Sequence, residues 1–170
     1  SPNNNLIGVC FKEKFCLYFI IKDKISIFME FDLLESQAKF SEIGEYLALS
    51  GCNPNTKLYS VLFLETFNFC VLFAVEDIKA KTKKLKFLND DRLFFMLLEN
   101  KMVRGFHLNF DFLSINLMNR FSDRGKSVSK AFVELFYKHF PKDEYNDFDY
   151  DWKNDNLLLT VENKKNVKIP

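Results

Sequence analysis

The chain has 170 residues, is 48% hydrophobic and carries only 5 Gly and 4 Pro, so it is long and apolar enough to bury a core, and disorder and linker-rich arrays are excluded. Its formal net charge of +1 excludes long-range steering of the whole chain toward nucleic acid or an anionic membrane; any such binding has to be local. Its 21 Phe, against 4 Met and 1 Trp, set the character of that core, because each buried ring removes roughly 150–250 Å² from water.

Phe, Lys, Asn and Ile all draw on A- and T-rich codons, so an AT-rich genome accounts for the bias without a functional cause. The longest apolar stretch, residues 59–75, carries Glu65, Thr66 and Asn68 near its middle, which suits a hairpin turn and not a bilayer, and no membrane span is expected. Ser1 to Asn5 shows no initiator Met, basic n-region or apolar h-region, so the chain reads as a processed start or as a fragment of a longer protein. Cys10, Cys16, Cys52 and Cys70 lack the close pairing of a zinc site or disulfide framework; reduced thiols in a cytoplasmic protein, with no metal, are expected.

In chain order, residues 6–11, 15–21 and 25–31 read as strands of an antiparallel meander, separated by the polar turns Lys12-Glu13-Lys14 and Lys22-Asp23-Lys24. Over 33–50 the period shifts toward 3.6, with Leu34, Ala38, Ile43 and Leu47 near one stripe and Gly51 placed as a left-handed stop, which predicts a first helix. After the Asn53-Pro54-Asn55 turn, residues 58–64 and 69–75 read as strands covered on both faces.

Residues 79–86 form a basic connector. A second helix is expected over 91–104, capped by Asn89, Asp90 or Asp91 and stopped by Gly105, with a strand over 93–98 as the competing reading. A third helical pattern covers 111–124. A fourth covers 128–140, with Ser127 as its cap and Pro141 as its end. Residues 157–161 read as a last strand, and residues 1–5 and 163–170 are expected to fray. The sum is one α+β domain over 1–170, a mainly antiparallel sheet of five to six strands under one layer of three to four helices.

Arg124, Lys126 and Ser127 stand ahead of the 128–140 pattern, where free backbone N–H groups and two cations suit a bound anion. A nucleotide P-loop is excluded, because its first glycine position is Arg120. Ser127 and Lys130 match S-x-x-K without the companion elements of a serine acyl-transfer site. Asp147, Asp149 and Asp151 alternate like the start of a calcium loop, but Trp152 and Leu158 occupy its Gly and Glu positions.

Tyr145, Phe148, Tyr150 and Trp152 interleave with those acids, the composition of a protein-binding patch. Lys79, Lys81, Lys83, Lys84 and Lys86 form a basic patch that suits phosphate backbones or an acidic segment of another copy. His107 and His139 alone are too few for a His-based metal site or a Ser-His-Asp relay. The Ile7-Gly8-Val9 meander resembles the first strands of actin-like ATPase domains, but Cys10, Phe11 and Lys12 follow where those domains place an acid and a glycine-rich turn.

With no catalytic residue or cofactor signature, the expected function is a non-enzymatic cytoplasmic interaction module with a protein partner, a second copy of itself included. A small-ligand or phosphate-binding enzyme or carrier with a Phe-lined pocket is the alternative, and nucleic-acid binding through residues 79–86 is the third.

Overall fold

In the computed structural model, residues 1–2, 5–22, 24–67, 71–88 and 91–108 are described in full, and 132–139, 145–151, 156–161 and 167–169 as strands. The described residues are all β: fourteen strands in four sheets, with no helix. The expected α+β class is therefore corrected. The chain divides into two compact units, Ser1–Thr82 and Lys83–Pro170.

The first unit holds two meanders. β1 (Leu6–Cys10), β2 (Phe15–Ile21) and β3 (Lys24–Phe31) form a three-stranded antiparallel sheet in sequence order. β4 (Leu34–Phe40), β5 (Tyr46–Cys52), β6 (Tyr59–Glu65) and β7 (Val71–Ile78) form a four-stranded one. Between them lies a core of Leu6, Phe15, Leu17, Leu33, Leu47, Leu49 and Leu64, with Phe19, Met29, Phe31 and Phe40 packed against it. Ser50 Oγ donates to Thr82 Oγ1 at 2.6 Å, which satisfies two buried hydroxyls of this unit at once.

The helix expected over 33–50 is two strands, β4 and β5. What breaks the chain there is the turn of residues 41–45: Gly44 takes φ 82°, and the Ser41 hydroxyl accepts the Tyr46 N–H at 3.1 Å. Gly51 is no helix stop. It lies inside β5 because an added Cβ would sit 2.7 Å from Leu33 Cβ, so only glycine lets Leu33 approach the strand.

In the second unit, β8 (Thr82–Leu88), β9 (Leu93–Leu98), β10 (Met102–Leu108) and β11 (Phe132–His139) form a sheet ordered β11-β10-β9-β8, its first residue still counted with the first unit. β12 (Tyr145–Asp151), β13 (Asn156–Val161) and β14 (Val167–Ile169) form a three-stranded antiparallel sheet. The helix expected over 91–104 is β9 and β10. All six residues of β9 are buried, so no alternation showed, while Asp91 at φ 63° and Lys101 at φ 65° make turns. Gly105 marks a register shift against β11 and not a helix end.

The helix expected over 128–140 is β11 across its described part, and the pattern over 111–124 lies outside the described residues. Phe94 anchors this unit, its ring 5.1 Å from that of Phe87 and 6.3 Å from that of Phe106, and the Arg104 guanidinium lies 5.4 Å over the Phe106 ring.

Candidate functional site

Consecutive links in an antiparallel meander fall at alternate ends of the sheet, so in the first unit the β1–β2, β3–β4 and β5–β6 links gather at one end. A cavity of about 340 Å³ opens there, at the small end of the ligand-pocket range, lined by Lys12, Glu13, Leu34, Glu35, Cys52 and Tyr59. Lys12 and Glu13 come from the first link, Leu34 and Glu35 from the entry to β4, and Cys52 and Tyr59 from the flanks of the third link. The third link is held by Asn53, whose side-chain oxygen accepts the N–H groups of Asn55 at 2.9 Å and Thr56 at 3.3 Å.

Glu35 is the centre of the site. Its backbone has φ 51°, in the left-handed region that a non-glycine residue adopts at a cost, and its N–H donates to the Lys12 carbonyl at 3.2 Å. The register of β4 against β5 shifts between Leu34 and Gln37, so the irregularity turns Glu35 out of the ladder. Its Oε2 accepts the Tyr59 hydroxyl at 2.8 Å and pairs with Lys81 Nζ at 3.3 Å. Beside it, Ser36 Oγ is buried without a hydrogen-bond partner among the described residues.

The Tyr59 hydrogen bond, and after it Lys81, hold the Glu35 carboxyl below its ordinary value of 4.5. A folded value below the unfolded one adds stability above the ordinary value, and that stability is lost as pH falls through the folded value. Thermal unfolding followed from neutral pH into acid is expected to show this loss, and Glu35→Gln to remove that part of the slope. Identical slopes in the two proteins would show that Glu35 is not held as described.

A second polar group lies on the first sheet. Glu30 Oε1 accepts Lys14 Nζ at 2.8 Å and the Cys16 thiol at 3.3 Å. Burial and the Glu30 hydrogen bond push the Cys16 thiol up, so it is a packed thiol and not a ready nucleophile. Cys10, Cys16 and Cys52 are free, and among the described residues no group of His, Cys, Asp and Glu is arranged to hold a metal ion.

Of the residues singled out in the sequence, Arg124, Lys126, Ser127 and Trp152 lie outside the described residues. Residues 145–151 form β12, an edge strand of its sheet, whose pleat places 147, 149 and 151 on one face. The lysine run is in part a strand: Lys83, Lys84 and Lys86 lie in β8 among the buried Leu85 and Phe87, while Lys81 reaches the Glu35 site. His107 is exposed on β10, and His139 closes β11 opposite Met102. The expected Phe-lined pocket has no counterpart at this cavity, whose wall holds no Phe.

Glu35 and Tyr59 carried no signal in the sequence, and Lys12 and Glu13 were legible only as turn residues. Among the described residues no helix is long and apolar enough to cross a membrane.

Comparison with solved structures places the fold. The β-propeller domain of Cps50 (Swd1) from Myceliophteria thermophila matches over 95% of this chain with a TM-score of 0.63 at 8% identity. The fold is propeller-like. The dihydro-heme d1 dehydrogenase NirN matches over 95% of this chain with a TM-score of 0.57 at 13% identity. This chain spans 51% of the first of those chains and 31% of the second. No family model matches the sequence, and no curated protein matches it. At such identities the likeness speaks for the fold alone, and a fold hosts many functions.

Proposed function

We propose that this chain is a protein-interaction module that receives a basic side chain of a partner at the Glu35 cavity. The observation that carries the reading is the gathering of three inter-strand links at one end of two propeller-type sheets, around a carboxylate kept ionised by Tyr59 and Lys81. Links carried on a rigid sheet scaffold are where binding residues concentrate. Glu13 adds a second carboxylate to the wall, and the half-exposed Glu35 is open to a competing cation that displaces Lys81 outward. A guanidinium fits this best, because its planar fork of donors engages a carboxylate through two parallel hydrogen bonds.

The acidic strand β12 and the lysines at 79–86 are proposed as further contact surfaces for the same kind of partner, β12 being the outer strand of its sheet among the described residues. The enzymatic alternative has less support: the Cys52 thiol in the cavity wall donates to the Asn53 carbonyl at 3.6 Å, and among the described residues no base is hydrogen-bonded to it.

Selection of random displayed peptides against the chain tests the reading. Selected sequences are expected to be rich in Arg or Lys and to lose about ten- to a hundredfold in affinity for Glu35→Gln, the loss of one hydrogen bond to a charged group. Peptides without a basic residue, or binding indifferent to Glu35→Gln, would overturn the assignment.

A further inference from the structure

We propose that the basic side chain received at the Glu35 cavity belongs to the last residue of its polypeptide, a carboxy-terminal arginine whose α-carboxylate is met by Lys12. This rests on the reading of the cavity as the seat of a basic side chain, and it makes the end of a chain the part that enters. The wall carries open charge of both signs. Both side-chain contacts of Glu35, from the Tyr59 hydroxyl and from Lys81, fall on Oε2, so Oε1 has no partner among the described residues. Lys12 and Glu13 line the same wall, and among the described residues neither forms an ion pair. Lys14, two residues on, is by contrast held by Glu30 at 2.8 Å.

A lysine in the wall repels a ligand that brings a guanidinium alone. It attracts one that brings a carboxylate beside the guanidinium. The backbone fixes where Lys12 stands: its carbonyl accepts the Glu35 N–H at 3.2 Å, and the Phe11 N–H donates to the Lys14 carbonyl at 2.8 Å, closing the turn around residues 12 and 13. The anion and the cation of the site therefore spring from hydrogen-bonded backbone positions, and the flexible four-carbon stem of lysine lets the ammonium follow a carboxylate that enters beside Glu35.

A carboxylate beside an arginine comes either from an acidic residue next in the chain or from the arginine's own chain end. The first needs a segment that runs through, with room on both sides. The cavity, about 340 Å³, lies at the small end of the ligand-pocket range and suits one residue entering end-on. Capture of a terminal carboxylate is a recurring mode of peptide recognition, and it selects a chain end over the more numerous internal arginines.

Titration calorimetry of the chain with a short Gly-Ala peptide ending in arginine, as the free acid and as the carboxy-terminal amide, tests it. The free acid is expected to bind about three- to fivefold more tightly, the effect of one solvent-exposed ion pair. Lys12 is exposed, so its substitution spares the core: Lys12→Met is expected to erase that difference and Lys12→Arg to keep it. Acid and amide bound equally by the wild-type chain, both weakened by Glu35→Gln, would overturn the inference and leave the basic-side-chain reading standing. Binding that ignores Glu35→Gln, or no binding of either peptide, would overturn both. A preference for the acid that survives Lys12→Met would remove Lys12 from the site, and free arginine bound as tightly as the peptide would replace the chain end by a small molecule; either result overturns the assignment made here.

Discussion

Replacing Phe15 by alanine is expected to remove about 3–5 kcal/mol from the stability of the first unit, a large part of the 5–15 kcal/mol that typically holds a domain together. Phe15 is 0% exposed and belongs to the core between the two sheets of that unit. Its ring lies 6.3 Å from that of Phe31, and its edge comes within 2.9 Å of where a Gly8 Cβ would be, so the surrounding atoms already touch it closely. Truncation therefore loses the transfer energy of the ring and leaves a cavity that a twisted sheet pair closes only in part.

Phe67, at a turn and 86% exposed, is the control: Phe67→Ala is expected to change stability by no more than about 0.5 kcal/mol. Denaturant unfolding of the two variants separates them, with a lowered midpoint at unchanged slope for Phe15→Ala. Equal losses for the two would mean that the Phe-rich composition is a property of the chain as a whole and that this core is not its organising centre.

The same two residues show why composition spoke only in part. A count of Phe gives the amount of apolar surface available and says nothing of which rings meet. The strands were legible where one face was wet or a polar turn stood between two apolar runs: β1, β2, β3, β6, β7 and β13 fall on or within a few residues of the predicted positions. They were illegible where both faces are covered. Leu93 to Leu98 is a continuous apolar run, which has no period to read, and the flanking Asp91 and Gly105 imitate the caps of a helix while serving as a turn residue and a register shift.

In 33–50 the apparent helical stripe of Leu34, Ala38, Ile43 and Leu47 spans a turn, with Ile43 exposed at the turn and Leu47 buried in the following strand. The turn itself carries no Asn-Gly or Pro signal. Three accidental helical patterns, over 33–50, 91–104 and 128–140, outweighed one missing turn, which is how described strands came to be read as part of an α+β fold.

The Glu35 site was hidden for a different reason. Its wall is assembled from residues 12 to 59, and its central residue takes a left-handed backbone that a glutamate does not advertise. Local reading finds sites that lie along a strand or at a helix end. It does not find one that depends on three links meeting at an end of two sheets.

Gly51→Ala is expected to destabilise the first unit by about 1–3 kcal/mol, and the cause is testable by where the cost disappears. A glycine stopping a helix in the left-handed region would penalise any added Cβ through the backbone alone. Among the described glycines the positive φ belongs to Gly44, so at Gly51 the penalty comes from the 2.7 Å approach to Leu33 Cβ. Leu33 is itself buried in the core, and the clashing atom is its Cβ, so swinging the end of the side chain aside gives no relief.

In a Leu33→Gly background, already weakened by the lost side chain, Gly51→Ala is then expected to become neutral or to stabilise by about 0.4–1 kcal/mol, because alanine restricts the unfolded chain more than glycine does. The double-mutant cycle measures this sign change directly as a coupling between contacting sites. A cost at residue 51 that is the same in both backgrounds would show that the backbone conformation and not the Leu33 contact demands glycine there, and the placement of Gly51 inside β5 would fall with it.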